Sequence, residues 1–292
     1  MVRIQKILCV SLPLLLAAPL FGQTETTQAQ YEKLTLDYFD YFERGVADSA
    51  EMALRKAILL MPDNAANFLL QANLAELVVS RKDTAEAVSL LSEALAAHPE
   101  MDDIRSRRAE LFEKRGRTNE ALADLEFLIS KNPDNEVYRY RRALVLIREK
   151  LWNGAASDLE HIIKNNPQGY LPRVTLAATD FERGLELEAE KALSLLITEQ
   201  PTLHVASRVL TGIYLREGRF SEAHATIRKV IDEGKVVTAE DYLTRACVWK
   251  AYGEKKEAEK DITKAREHGA GDEMIKVYLD DNDPIWTTIL IR

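Results

Sequence analysis

Cysteine is almost missing from this chain: there are two, Cys9 and Cys247, in 292 residues. Cys9 lies in the N-terminal apolar run, so once that run is removed no intramolecular disulfide can form. Excess positive charge is missing too. The 39 Lys and Arg are outnumbered by 47 Asp and Glu, which argues against nucleic acid or an anionic membrane surface as the main partner. The apolar run Ile7 to Leu20 is interrupted by Pro13 and falls short of the roughly 20 residues a membrane-spanning helix needs. There is no Gly-rich phosphate loop, no His-Glu-x-x-His pair and no Cys/His cluster. His98, His161, His204, His224 and His268 are scattered and suit surface or capping roles. No catalytic residue, metal ligand or cofactor site is nominated, and enzymatic activity is not expected.

What the N-terminus does have is an order. Arg3 and Lys6 precede the apolar run, and Ala17, Ala18 and Gly22 follow it. Basic, apolar and small in that order reads as a secretory signal peptide over residues 1–23, with an uncleaved anchor as the alternative. Cleavage near Gly22 or Gln23 removes Arg3 and Lys6 and no acidic residue, which takes the net charge from −8 to about −10. Residues 24–30 then read as a linker.

From Tyr31 onward the chain repeats. Ala50, Ala87, Ala121, Ala155, Ala189, Ala223 and Ala258 follow one another at spacings of 37, 34, 34, 34, 34 and 35 residues. A period near 34 is that of a stacked helical hairpin. With units beginning at Tyr31, Phe68, Asp102, Glu136, Tyr170, His204 and Ala239, these alanines occupy position 20. Position 8 is Tyr38, Ala75, Ala109, Ala143, Ala177, Thr211 and Ala246. Small residues on two facing helices let their axes approach, so positions 8 and 20 mark the crossing within each hairpin. Position 24 is Leu or Ile throughout, and positions 20, 24 and 27 share one face of the second helix. Gly45, Gly116, Gly184, Gly218 and Gly253 hold position 15, where the chain turns. Pro62, Pro99, Pro133, Pro167 and Pro201 hold position 32, just beyond the second helix. The three extra residues between units one and two lengthen the first helix of unit two or its leading loop.

Small residues at positions 8 and 20, glycine at 15 and proline at 32 closely resemble the tetratricopeptide repeat family, over residues 31–271. Two departures are visible. Arg105, Arg139 and Arg173 replace the family's aromatic at position 4, and position 24 is aliphatic. The resemblance implies an all-α, right-handed superhelical solenoid of about seven helix-turn-helix repeats, followed by a capping segment and tail, 272–292. It also implies a concave groove lined by first-helix positions 2, 5, 9, 12 and 13, in which a protein or peptide partner lies. Here those positions include Phe39, Phe42, Tyr140, Leu144, Arg148, Phe181, Arg208 and Arg216. About half of the groove list is expected to pack the next repeat instead, since most apolar residues of an amphipathic helix face a core. The Lys and Asn pattern with which some family members clamp a chaperone's C-terminal carboxylate is replaced by Thr35, Phe39, Ala72 and Glu76.

Charge also keeps the period. Arg108, Arg142 and Arg245 stand at position 7, and in the same units position 23 is Asp124, Asp158 and Asp261. The other units carry Ala53, Leu90, Ala192 and Thr226 there. Arginine and aspartate that come and go together suggest three structural ion pairs, because a charge beside a hairpin core must be paired. Binding of an acidic ligand by these arginines is the alternative. Arg105, Arg107 and Arg108 recur as Arg139, Arg141 and Arg142, which makes either a basic stripe or a solvated face offset by Glu110, Glu113 and Glu149. The tail 285–291, Ile-Trp-Thr-Thr-Ile-Leu-Ile, is apolar and folds back on the last hairpin or docks on a partner. The sequence therefore describes an exported protein-binding scaffold, periplasmic or on the outer surface of a bacterium, for assembly of an envelope complex. A periplasmic chaperone-like carrier of extended client segments is the alternative.

Overall fold

Helices with alanine where they cross can pack backbone to backbone, and this chain is built almost wholly from such crossings. The computed structural model describes residues 24–234 and 236–280. The expected signal peptide, 1–23, and the apolar tail lie outside the described residues. Every regular element among the described residues is a helix. The chain divides within its fifth helix into two units, residues 1–111 and 112–292.

In the first unit, α1 (Thr24–Glu43) pairs with α2 (Ala47–Leu60), and α3 (Asn67–Ser80) pairs with α4 (Thr84–Ala97). α2 packs in turn on α3. α5 (Asp102–Lys114) follows. Ala50, Leu54, Ala57, Ala75, Ala87 and Leu91 are buried at the period positions. Residues 24–30, expected as a linker, are helical and continuous with α1. That stretch has no Gly or Pro to stop a helix, and Gln28 Nε2 donates to Glu32 Oε1 one turn on, at 2.9 Å. The extra residues between the first two pairs are shared: the connection 61–66 is longer than its counterpart 98–101, and α3 starts one position early.

In the second unit, α6 (Thr118–Lys131) is followed by the pairs α7 (Glu136–Arg148) and α8 (Trp152–Asn165), then α9 (Tyr170–Glu182) and α10 (Glu186–Glu199). The pairs α11 (Val205–Arg216) with α12 (Phe220–Glu233) and α13 (Ala239–Ala251) with α14 (Lys255–Glu267) come next, and α15 (Asp272–Tyr278) packs on α13. Each second helix also packs on the first helix that follows it. One buried cluster gathers Ala143, Ala155, Leu159, Ala177, Leu193, Ala223 and Ile227, and another gathers Ala246, Ile262, Ile275 and Tyr278 around the last pair.

The turn at position 15 is the same whatever residue fills it. All five glycines there have φ between 66° and 81°, and the units that lack glycine place Lys82 at 67° and Lys150 at 60°. The hairpin geometry imposes the left-handed conformation, and two lysines bear it against their Cβ sterics.

Candidate functional site

The candidate residues divide between the units. Phe39 and Phe42 lie on α1 in the first, where their rings stand 4.9 and 5.8 Å from that of Tyr38. Phe39 is exposed and Phe42 half-buried. Tyr140, Leu144, Arg148, Phe181, Arg208 and Arg216 lie on α7, α9 and α11 in the second.

Tyrosine hydroxyls set the register between these first helices. Tyr170 donates to the Leu203 carbonyl at 2.6 Å and accepts from the Ala206 amide at 3.2 Å, pinning the start of α11. The Tyr140 hydroxyl meets Thr175 Oγ1 on α9 at 2.9 Å. Burial raises both phenols above their ordinary pKa. The apolar groove positions then separate by depth. Ile147, Val174 and Ala178 are fully buried and belong to the core. Tyr140, Leu144, Phe181 and Leu215 are half-buried, and Val137 and Leu171 are exposed. The outward face is thus an apolar and aromatic strip running across α7, α9 and α11.

The groove position of Arg208 predicts a grip on a partner, and its geometry points elsewhere. Its side chain is 12 % exposed, and Nη1 donates to Asp241 Oδ1 at 2.9 Å. Fully buried Asp241 also engages His204 Nδ1 at 2.8 Å and accepts from the Thr238 amide at 2.9 Å, within a capping box at the start of α13. A buried carboxylate needs such a set of donors, so Arg208 ties α11 to α13. The other two arginines each have a carboxylate and keep 40 % of their side-chain surface. Arg148 donates to Glu113, which also takes Arg141, and Arg216 pairs with Glu182 and lies over the Phe181 ring, 5.1 Å from its centroid. In the first unit Arg107 pairs with Glu76. Position 13 therefore reads Arg148, Glu182, Arg216 along the strip, a ladder of alternating sign rather than a basic stripe.

Two of the position 7 and position 23 pairs fall inside the second unit. Arg142 donates to both oxygens of Asp158, each at 2.7 Å, and Arg139 adds a third bond at 2.9 Å. Arg245 donates to both oxygens of Asp261 at 2.8 and 2.7 Å, with the Trp249 indole N–H adding a bond at 3.0 Å. Arg142 and Arg245 are held above the ordinary arginine pKa by these hydrogen bonds, against the opposing effect of burial. Arg108 belongs to the first unit, where it donates to Ser92 Oγ at 3.2 Å, and buried Asp124 belongs to the second. The position 4 arginines serve the loops: Arg105 donates to the Pro99 carbonyl at 2.9 Å, and Arg139 to that of Pro133 at 2.5 Å.

Two depressions carry no signal in the sequence. One of about 550 Å³ is lined by Leu34, Lys56, Leu59 and Leu60, the other of about 460 Å³ by Leu187, Lys191 and Leu195 on α10, and neither includes a candidate residue. Among the described residues no group of three or more His, Cys, Asp or Glu is placed to hold a metal ion, and no helix is long and apolar enough to cross a membrane.

Comparison with known proteins agrees with the architecture. A family model described as a tetratricopeptide repeat matches residues 78–145. A tetratricopeptide repeat protein from Parabacteroides merdae is 29 % identical in sequence, with a TM-score of 0.72 over 89 % of this chain and 99 % of that one. PilW, described as a widely conserved type IV pilus biogenesis factor, is 18 % identical with a TM-score of 0.53 over 73 % of this chain and 98 % of its own. YrrB, described as a repeat protein of this kind with an unusual peptide-binding site, is 17 % identical with a TM-score of 0.51 over 64 % and 96 %. These last two show likeness of fold alone. No curated protein matches.

Proposed function

We propose, from its likeness to tetratricopeptide-repeat proteins, that this chain is an exported scaffold that binds another protein along the first-helix strip of its second unit. The setting we propose is assembly of a bacterial cell-envelope complex, in the periplasm or at the outer surface. The observation that carries the reading is the strip itself. Tyr140, Leu144, Phe181, Leu215, Val137 and Leu171 leave apolar surface open on three successive first helices, and stacked repeats offer such surface along their length. Contiguous apolar surface rimmed by charge is what a protein partner covers. Export is supported by the order of basic, apolar and small residues before Gln23.

Photo-crosslinking amino acids at Tyr140 and Phe181, with Leu195 on the exposed face of α10 as control, test this in intact cells. The expected result is one protein recovered in stoichiometric yield from the first two positions and not from the third. Recovery only from Leu195 places binding on the second helices and overturns the proposal. Many peptides captured weakly and unselectively favour a carrier of extended clients over a scaffold.

A further inference from the structure

The larger of the two depressions lies inside the first unit, between α1 and α2, and encloses about 550 Å³. Its apolar wall is Leu34 of α1 with Leu59 and Leu60 of α2, and Lys33, Asp37 and Lys56 stand around them. Leu59 is 81 % exposed. Once the cleft is seen, the period shows why it is there. At position 4, later units carry an arginine that bridges the paired helices: Arg139 reaches Asp158 of α8 at 2.9 Å, and Arg173 reaches Glu199 of α10 at 2.8 Å. Leu34 holds that position in the first unit and leaves the space between the helices open. Positions 29 and 30, at the end of the second helix, are alanine or polar in the six later units, and the first unit alone carries Leu59-Leu60 there. The cleft is thus open and apolar at a place where the rest of the array is filled and polar.

Three leucines around open space call for an aliphatic occupant, and the charges at the rim define its end. Lys33 and Lys56 are exposed, Asp37 is half-buried, and among the described residues none of the three takes part in an ion pair. Two free ammonium groups against one carboxylate leave a net positive rim, in a chain where acid outnumbers base. That rim complements a single anionic head group. Size agrees. A cleft of this volume falls within the roughly 300–1,000 Å³ of small-molecule sites, and its lining on α1 runs from Gln30 to Asp37, about 10 Å of helix. We propose that this cleft binds a medium-chain aliphatic carboxylate, its chain along Leu34, Leu59 and Leu60 and its head between Lys33 and Lys56. The site lies in the first unit and is independent of the strip on the second, so either can stand without the other.

The test is a ligand-observed NMR titration of the full chain with octanoate, with octan-1-ol as the uncharged arm and octylammonium as the cationic one. Octanoate is expected to saturate one site with a Kd of about 1 mM or tighter, within the range open to so small a ligand, and octylammonium is expected to bind least. Leu59→Glu is expected to weaken octanoate binding about tenfold or more. The double change Lys33→Ala with Lys56→Ala is expected to weaken it about tenfold, since each exposed ion pair is worth up to about fivefold, and to erase the preference for octanoate over octan-1-ol. All three altered side chains are exposed, so helicity by circular dichroism should match the parent. Leu195→Glu, in the other depression on α10, is the control and should change nothing. Octan-1-ol binding the parent as tightly as octanoate overturns the proposal, and so does equal weakening by Leu195→Glu. Absence of saturable octanoate binding overturns it as well and points to a protein segment as the occupant.

Discussion

Replacing Asp158 by alanine isolates one buried, multiply bonded carboxylate of the second unit. Asp158 keeps 1 % of its side-chain surface and receives three charge-assisted bonds, two from Arg142 at 2.7 Å and one from Arg139 at 2.9 Å. Its removal leaves two guanidinium groups facing a cavity with no carboxylate in it. Breaking a buried pair from one side costs about 3–5 kcal/mol. Arg142 and Arg139 retain 23 % and 14 % of their side-chain surface, so water relieves part of that cost and the lower end, about 3 kcal/mol, applies. At roughly 2–4 °C per kcal/mol for a chain of this size, the melting temperature falls by about 6–12 °C. Glu160 is the control on the same helix: 59 % exposed and 3.8 Å from Arg183, its loss costs about 0–1 kcal/mol. Thermal unfolding followed by far-ultraviolet circular dichroism measures both. Equal shifts for Asp158→Ala and Glu160→Ala refute the ion-pair argument. The double change Arg142→Met with Asp158→Leu checks it from the other side, since an apolar pair of similar volume should recover part of the loss.

Three further outcomes rest on the same geometry. Lys150→Gly and Lys82→Gly should each stabilise the protein by about 0.5–1 kcal/mol, the left-handed strain of about 1–2 kcal/mol less glycine's added unfolded-state entropy. Chemical denaturation measures this, and destabilisation by both refutes the imposed turn. Glu190 is held below the ordinary carboxylate pKa, first by the Arg219 hydrogen bond and then by Tyr214. A depressed folded pKa gives stability that is present above the unfolded value of about 4.3 and lost as pH falls through the folded one. The melting-temperature gap between the parent and Glu190→Gln should therefore be open at neutral pH and close in acid, and a gap that widens in acid is the contrary result. Finally, partner affinity should vary little with salt, because the strip's arginines are already paired, whereas a steep loss between low and high ionic strength would point to free charge as the main contact.

The hairpins were legible because their signals are properties of single residues that recur: alanine at a crossing, glycine at a turn, proline past a helix. Ala155 and Ala189 announce their depth by size alone. Lys82 and Lys150 are the counter-case. Nothing in lysine favours φ near 60°, yet both stand at position 15, and the period, taken more seriously than the residue, would have located the turn. The Arg142–Asp158 and Arg245–Asp261 pairs were readable because the two sites vary together between units. Arg208 with Asp241 occurs once, 33 residues apart on different helix pairs, so no internal comparison exposes it. The bonds of Arg105 and Arg139 to proline carbonyls have backbone acceptors, which carry no sequence signature at all.

The placement of charge explains why surface depth, rather than residue type, defines the candidate site. An arginine on a groove position reads as a hand held out to a carboxylate, but Arg148 and Arg216 already face Glu113 and Glu182. An acidic partner would have to replace a carboxylate that is already in place, and exchanging one exposed ion pair for another gains little. Covering the open surface of Phe181, Leu215 and Tyr140 removes apolar area from water without displacing a carboxylate, at roughly 25 cal/mol for each Å² covered. For a partner bound on the proposed face, the free energy of recognition would therefore come from the apolar strip, while the alternating ladder beside it would leave a misplaced charge without a partner and so select which segments lie there and in which register.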